Sequence, residues 1–344
     1  MTMLLNSYER DTNLIAAHHQ PAIMLDLATS RDIDSRALLR GTRLVLDDIL
    51  TGRKLISPDR FLTLLANCQK ALNADDTSFL FGQRLFPGSY GAVSQVLTHS
   101  QTLHQALIHI CHHHSLLSPL CTPRYFENND HLFIYWLDSC GAGAQFTFLL
   151  EAYMTAVASM GNRMLDSKLP WRFNFTHAEP RYIEQYWVHL SDEVKFNQQL
   201  SMMSIPLDIT HQVRLKTSPI SLQLALQGSK SQLTDIGWEA SFLDTLYDYF
   251  RENIQQNIQL ETVANAFGMS PASLKRKLLK HNTHFQKQLD LARKHVALYL
   301  YQVKGYQHHE VADYLRFNDI NNFRRAFKRW TGLPPGQLLQ ENCF

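Results

Sequence analysis

The sequence predicts an α+β N-terminal domain, mostly helical with a small sheet, followed by an all-α C-terminal domain with two helix–turn–helix motifs. Three observations predict this. The chain has 344 residues, of which 45% are hydrophobic and 19% charged; that is the length of about two average domains, and too apolar for disorder or a collagen-like repeat. Its formal charge of +2 is unevenly divided. Residues 269–344 carry 13 Lys and Arg against 5 Asp and Glu, a net of +8, which leaves −6 on residues 1–268. An acidic body with a basic end points to a polyanionic partner, nucleic acid before membrane. The third observation is an internal repeat near the C-terminus.

From the N-terminus, MTMLLNSYERDTNL has no basic n-region, so no signal peptide is expected. The longest apolar runs, such as Leu132 to Leu137, fall far below the roughly 18 residues that span a bilayer. Cys68, Cys111, Cys121, Cys140 and Cys343 are an odd, sparse set, expected as free thiols in a reducing cytosol. Ser57-Pro58-Asp59 caps a helix whose apolar positions are Phe61, Leu64, Leu65, Cys68 and Leu72; Leu103, Leu107, Ile110 and Leu117 repeat the pattern. Arg124-Tyr125-Phe126 and His131 to Trp136 flank Asn128-Asn129-Asp130, a hairpin signal. Residues 171–215 read as strand–helix–strand. Gly228-Ser229-Lys230-Ser231 is the most linker-like tetrapeptide. The expected division is therefore a domain at 1–227, a linker at 228–237 and an all-helical domain at 238–344.

The repeat pairs VANAFGMSPASLKRKLLKHN with VADYLRFNDINNFRRAFKRWTG. Val263, Phe267 and Ser270 match Val311, Leu315 and Asn318 at an offset of 48, and Leu274, Arg276 and Leu278 match Phe323, Arg325 and Phe327 at 49. Each copy reads as helix–turn–helix. Gly268 permits a left-handed turn, Ser270 caps the next helix and Pro271 starts it. Leu274 and Leu278, then Phe323 and Phe327, form buried stripes. Ala272, Lys275, Arg276 and Leu279 lie outward in the first copy, and Ile320, Asn321, Arg324, Arg325 and Lys328 in the second. Arg can read guanine and Asn adenine, while Lys and Arg also neutralise phosphates. The bland alternative, solvated faces of an ordinary bundle, does not explain why the basic residues recur at one place in both copies.

The segment from Leu260 to Leu338 resembles the DNA-binding domain of AraC/XylS-family transcriptional regulators, most specifically in FNDINNFRRAFKRWTGLPPGQL. The resemblance implies seven helices, with two helix–turn–helix motifs joined by a long helix at about Phe285 to Tyr301, and recognition helices entering successive major grooves. It makes Ala272, Lys275, Arg276, Ile320, Asn321 and Arg325 base-reading candidates. Ser270, Lys280, Arg316, Arg324 and Lys328 become phosphate candidates. Residues 12–215 resemble the effector-binding region of ornithine-responsive and related regulators, through SYGAVSQVLTHSQTLHQALIHI, FNFTHAEPRYIEQYW and VKFNQQLSMMSIP, rather than a cupin-like arabinose pocket. Promoter DNA, a small-molecule effector, RNA polymerase and a homodimer are the implied partners, and transcriptional activation the implied outcome, in the cytoplasm at the nucleoid. The family usually has Gly where this sequence has Arg316, so the second turn is either strained or differently shaped.

Other signals point elsewhere only weakly. Cys111-His112-His113-His114, with His104 and His109, lacks a carboxylate and is expected to be surface histidine rather than a zinc site. Gly88-Ser89-Tyr90-Gly91 is no nucleophile elbow, and phosphate-binding loops are missing from the sequence. Asp47-Asp48 and Asp75-Asp76 read as capping or solvated pairs. Tyr125, Phe126, Phe133, Tyr135, Trp136, Phe146 and Phe148 form core or line a pocket. No catalytic residue, metal or cofactor is expected, and no effector-contacting residue is assigned. The alternative is an enzyme, or a non-sensing interaction domain, fused to a DNA-binding module.

Overall fold

The computed structural model describes residues 7–214 and 217–338; Cys343 lies outside them. After a short strand, β1 (Ser7–Tyr8), the front half is helical: α1 (Gln20–Thr29), α2 (Pro58–Leu72), α3 (Thr77–Leu85), α4 (Ala92–His99) and α5 (Leu103–His112). Pro58 opens α2 behind Ser57 as expected, but the Ser57 side chain makes no capping hydrogen bond; Phe61, Leu64, Leu65 and Cys68 are buried along the helix. The hairpin follows as β2 (Cys121–Glu127) and β3 (His131–Asp138). Its turn is closed by Asn128 Oδ1, which accepts from the backbone N–H of Asp130 and His131 at 2.9 and 2.7 Å.

Next come α6 (Phe146–Met164), β4 (Arg172–Asn174), α7 (Ile183–His189), β5 (Val194–Lys195) and β6 (Met202–Pro206). One open five-stranded sheet results, in the order β2-β3-β6-β4-β5, antiparallel except for the β4–β5 pair. Helices surround it, and it does not close into a barrel. Helix α6 is buried along most of its length, because Gly82 of α3 lets the two helices touch. A Cβ at Gly82 would lie 2.3 Å from the Ala152 carbonyl oxygen.

The tetrapeptide Gly228–Ser231 is not a linker in conformation. It lies inside α8 (Pro219–Ile236), capped by Ser218 and stopped by Gly237 at φ +73°. Polar composition misled here, because Gly228 is small enough to pack on Ala92 of α4 and Ser229 is fully buried against His113. The histidine expectation fails for the same reason. His113 is buried, with Nδ1 2.9 Å from the His109 carbonyl and Nε2 3.0 Å from Ser229 Oγ. His114 Nδ1 is 3.0 Å from the Cys111 carbonyl, and burial pushes its pKa down. Among these neighbours, His112 is the exposed one. Cys68, Cys121 and Cys140 are buried free thiols and Cys111 is half-buried.

From β7 (Ala240–Ser241) onward the chain is helical: α9 (Phe242–Glu252), α10 (Leu260–Ala266), α11 (Pro271–Lys280), α12 (Phe285–Gln302), α13 (His308–Tyr314), α14 (Ile320–Thr331) and α15 (Pro335–Leu338). A second apolar cluster, from Phe242 to Phe327, holds them together. It also takes in Leu137 of β3, so the two halves share surface. β1 pairs in parallel with β7, Ser7 with Ala240 and Tyr8 with Ser241. Asp244, buried in the capping box of α9, accepts from Thr122 Oγ1 at 2.6 Å. Arg124 reaches Asp248 at 2.6 Å. At Gly141, φ +73°, a Cβ would fall 1.9 Å from the His281 carbonyl oxygen, so only glycine fits where the halves meet.

Candidate nucleic-acid interface

The two helix–turn–helix units are built alike down to their backbone hydrogen bonds. In the first, Gly268 N–H donates to Asn265 at 3.0 Å and Met269 N–H to Ala264 at 2.9 Å. In the second, Arg316 N–H donates to Asp313 at 3.0 Å and Phe317 N–H to Ala312 at 2.9 Å. Arg316 sits at φ +60° where Gly268 has φ +66°. The two turns have the same shape although arginine stands in the second where the first has glycine. The guanidinium is not idle, since Arg316 Nε donates to the Gln255 carbonyl at 2.7 Å.

The equivalence shifts by one residue just after the turn. Ser270 caps α11, accepting from Ser273 N–H at 3.1 Å. The cap of α14 is Asp319, accepting from Asn321 and Asn322 N–H, not Asn318 as the alignment of the repeat had it. Asn318 is the inserted residue. At an offset of 49, Ala272, Lys275 and Arg276 then correspond to Asn321, Arg324 and Arg325, which gives Arg324 the position of Lys275.

The buried stripes are Leu274 and Leu278 in α11 and Phe323 and Phe327 in α14, all fully buried. Ser270, Ala272, Lys275, Arg276 and Leu279 are exposed on the first unit, and Asn321, Arg324, Arg325 and Lys328 on the second. Ile320 departs from expectation. It is half-buried and packs on the second apolar cluster, because the first helical residue after Asp319 turns back toward the core. Arg325 Nη2 donates to Asn322 Oδ1, one turn back on the same helix, at 2.6 Å. Arg329 pairs with Asp290 at 3.1 Å and so fixes α14 to α12.

Lys280 is not free. It reaches Glu9 at 3.1 Å and also pairs with Asp11, while Lys277 pairs with Glu9. His281, with Nε2 3.9 Å from Glu9, and the two ammoniums hold the Glu9 carboxyl well below its usual range. Sequence gave no signal for this contact, which joins residues more than 260 positions apart.

Two family models match the chain. One, described as the arabinose-binding domain of AraC transcription regulator, covers residues 33–212, more than half of the chain. The other, a helix-turn-helix domain, covers residues 263–341. The chain belongs to the AraC-type transcription regulators. It thus has an N-terminal effector-binding domain and a C-terminal helix–turn–helix DNA-binding domain. Over 318 residues, 92% of this chain and 94% of the relative, this AraC-type protein is 23% identical to an ornithine utilization regulator of Pseudomonas aeruginosa. It is 35% identical over 75 residues to an uncharacterised HTH-type transcriptional regulator of Mycobacterium tuberculosis, 22% of either chain. Among solved structures it resembles transcriptional regulator CdpR from Pseudomonas aeruginosa at 18% identity and a TM-score of 0.36, over 76% of this chain and 86% of that one. Among the described residues, no helix is long and apolar enough to cross a membrane, and no group of His, Cys, Asp or Glu is placed to hold a metal ion.

The Arg316 turn gives a clean test in this AraC-type chain. Arg316→Ala keeps the left-handed backbone on an L-residue and loses the bond to Gln255; Arg316→Gly loses the bond but relieves the backbone. Glycine is expected to be the more stable of the two by about 1 kcal/mol, and Arg316→Gly to lie within a few tenths of wild type, since a net hydrogen bond of about 1 kcal/mol is lost with the strain. Urea unfolding of both variants decides. Equal stabilities would show that φ at this position is not a cost.

Proposed function

We propose that the protein is a sequence-specific transcriptional activator whose front domain responds to a small molecule. The observation that carries the DNA half is the recurrence of an exposed basic face on α11 and α14 behind turns with the same hydrogen bonds. On this reading Arg276, Asn321 and Arg325 hydrogen-bond base edges, and Lys275 and Arg324 stand at equivalent places beside them. Ala272 offers apolar contact to a thymine methyl, and Ile320 does so only through the part of its side chain that the core leaves open. Ser270, Arg316 and Lys328 serve phosphates. The protein works in the cytoplasm at the nucleoid, as a homodimer that engages RNA polymerase. The effector half is supported by the match to an arabinose-binding family model and by the near full-length likeness to an ornithine utilization regulator.

In vitro transcription from a promoter carrying the protein's binding site tests activation. Transcript should rise with added protein, and a fall would make it a repressor. The phosphate contacts have their own signature. Lys328→Ala should lower the slope of log affinity against log salt by about one unit. Lys280→Ala should lower it less, because Lys280 must first leave Glu9 and Asp11. A larger effect at Lys280 than at Lys328 would show that the N-terminal ion pairs do not hold this lysine away from DNA.

A further inference from the structure

Between the front sheet and the C-terminal helices lies a cavity of about 630 Å³, within the size range of small-molecule sites. Phe126 of β2, Tyr135 of β3 and Tyr299 of α12 line it, with Tyr299 packed edge-on against Phe126 at 5.9 Å. A contiguous aromatic lining of this kind takes a flat apolar body against it.

The polar groups are graded from floor to mouth. Inside, Tyr247 and His295 are both buried, with the Tyr247 hydroxyl 3.0 Å from His295 Nδ1. The Tyr135 hydroxyl is 3.4 Å from that of Tyr247, too long for a strong bond, so it retains hydrogen-bonding capacity toward the cavity. Burial, and then Lys294 beside it, push His295 down to about 3, so the floor is neutral. Charge stands at the mouth. Lys304 is exposed, lies 5.7 Å over the Tyr299 ring and has no carboxylate partner among the described residues. Arg251 is 3.7 Å from Asp248, but that carboxylate is already held by Arg124 at 2.6 Å. Glu252 is the acidic group in the lining beside these two cations.

We propose that this cavity binds a small aromatic carboxylate, its ring against Phe126, Tyr135 and Tyr299 and its acid group at Lys304 and Arg251. The occupant would touch the sheet of the front domain, the helix joining the two helix–turn–helix units, and Tyr314 at the end of α13. It is thereby placed to change how the recognition helices sit against the front domain. This extends the effector reading above by locating an effector between the domains; the binding itself does not depend on that reading.

The full chain is titrated with 8-anilinonaphthalene-1-sulfonate, an amphipathic aromatic anion, by fluorescence, and the probe is competed with indole-3-acetate and with the uncharged indole-3-acetamide. One probe site is expected, displaced about three- to fivefold more effectively by the acid than by the amide. Val296→Trp, which fills the cavity from α12, should weaken probe binding about tenfold or more. Lys304→Gln, at an exposed side chain, should reduce the preference for acid over amide, and Lys304→Gln with Arg251→Gln should abolish it; these variants decide the matter should Val296→Trp not fold. Equal competition by acid and amide in the wild type, or undiminished probe binding in a folded Val296→Trp chain, overturns the site. A molecule that alters DNA affinity equally in wild type and Val296→Trp would preserve the effector reading while overturning this location.

Discussion

Phe323→Ala is expected to destabilise the C-terminal domain by about 3–5 kcal/mol, the cost of truncating a fully buried phenylalanine. The ring has no exposed surface and meets Phe317 and Phe327 at 5.5 and 5.7 Å between centroids. With Phe327 it seats α14 on the rest of the second motif. Its loss leaves a cavity between α14 and the turn that carries Arg316, so DNA binding should fall along with stability. Urea unfolding followed by circular dichroism measures the effect. A loss below about 1 kcal/mol would mean that α14 does not use Phe323 to pack, and its outward face would then be misassigned.

Arg276→Ala and Arg325→Ala should each weaken binding to the specific site by about 1–3 kcal/mol, roughly five- to 150-fold, and relax the base preference at one position each. Both side chains are exposed and neither is buried in an ion pair, so the fold should be untouched. Because the two lie on separate helices, the double variant should show the sum of the single effects to within about 0.5 kcal/mol. Lysine should not rescue either position, since it cannot supply the planar fork that matches guanine. Competition binding against specific and random duplexes separates the outcomes. Equal losses on both duplexes would mean that these arginines touch only phosphates.

Much of the fold is legible in the sequence where the signal is local. Asn128 and Ser270-Pro271 each announce a turn or cap through chemistry that acts within three residues, and both do so in the structure; Pro58 likewise marks the start of its helix, although the Ser57 hydroxyl before it makes no capping bond. The buried stripes of α11 and α14 follow from helical spacing alone. The errors arise where packing overrides composition. Gly228 and Ser229 look like a linker but sit inside a helix, because α4 offers a surface that only small residues can approach. His113 looks solvated but bonds a backbone carbonyl and Ser229. The repeat fixed the turn but not the insertion, since Asn318 and Asp319 are both competent caps and only the structure shows which is used. Least legible are the contacts between the halves. Nothing near Glu9 or Lys277 in sequence reveals that they meet, and the interdomain cavity could be anticipated only as an unplaced group of aromatic residues.

The central claim is that both helix–turn–helix units read DNA together. The most direct measurement is selection of binding sites from a randomised duplex pool, followed by hydroxyl-radical footprinting of the winner. Two base-preferring segments on one face of the duplex, about one helical turn or 10 base pairs apart, are the predicted result, with Arg276→Ala blurring one segment and Arg325→Ala the other. A single preferred segment altered by only one of these substitutions, or enrichment of no sequence at all, would contradict it.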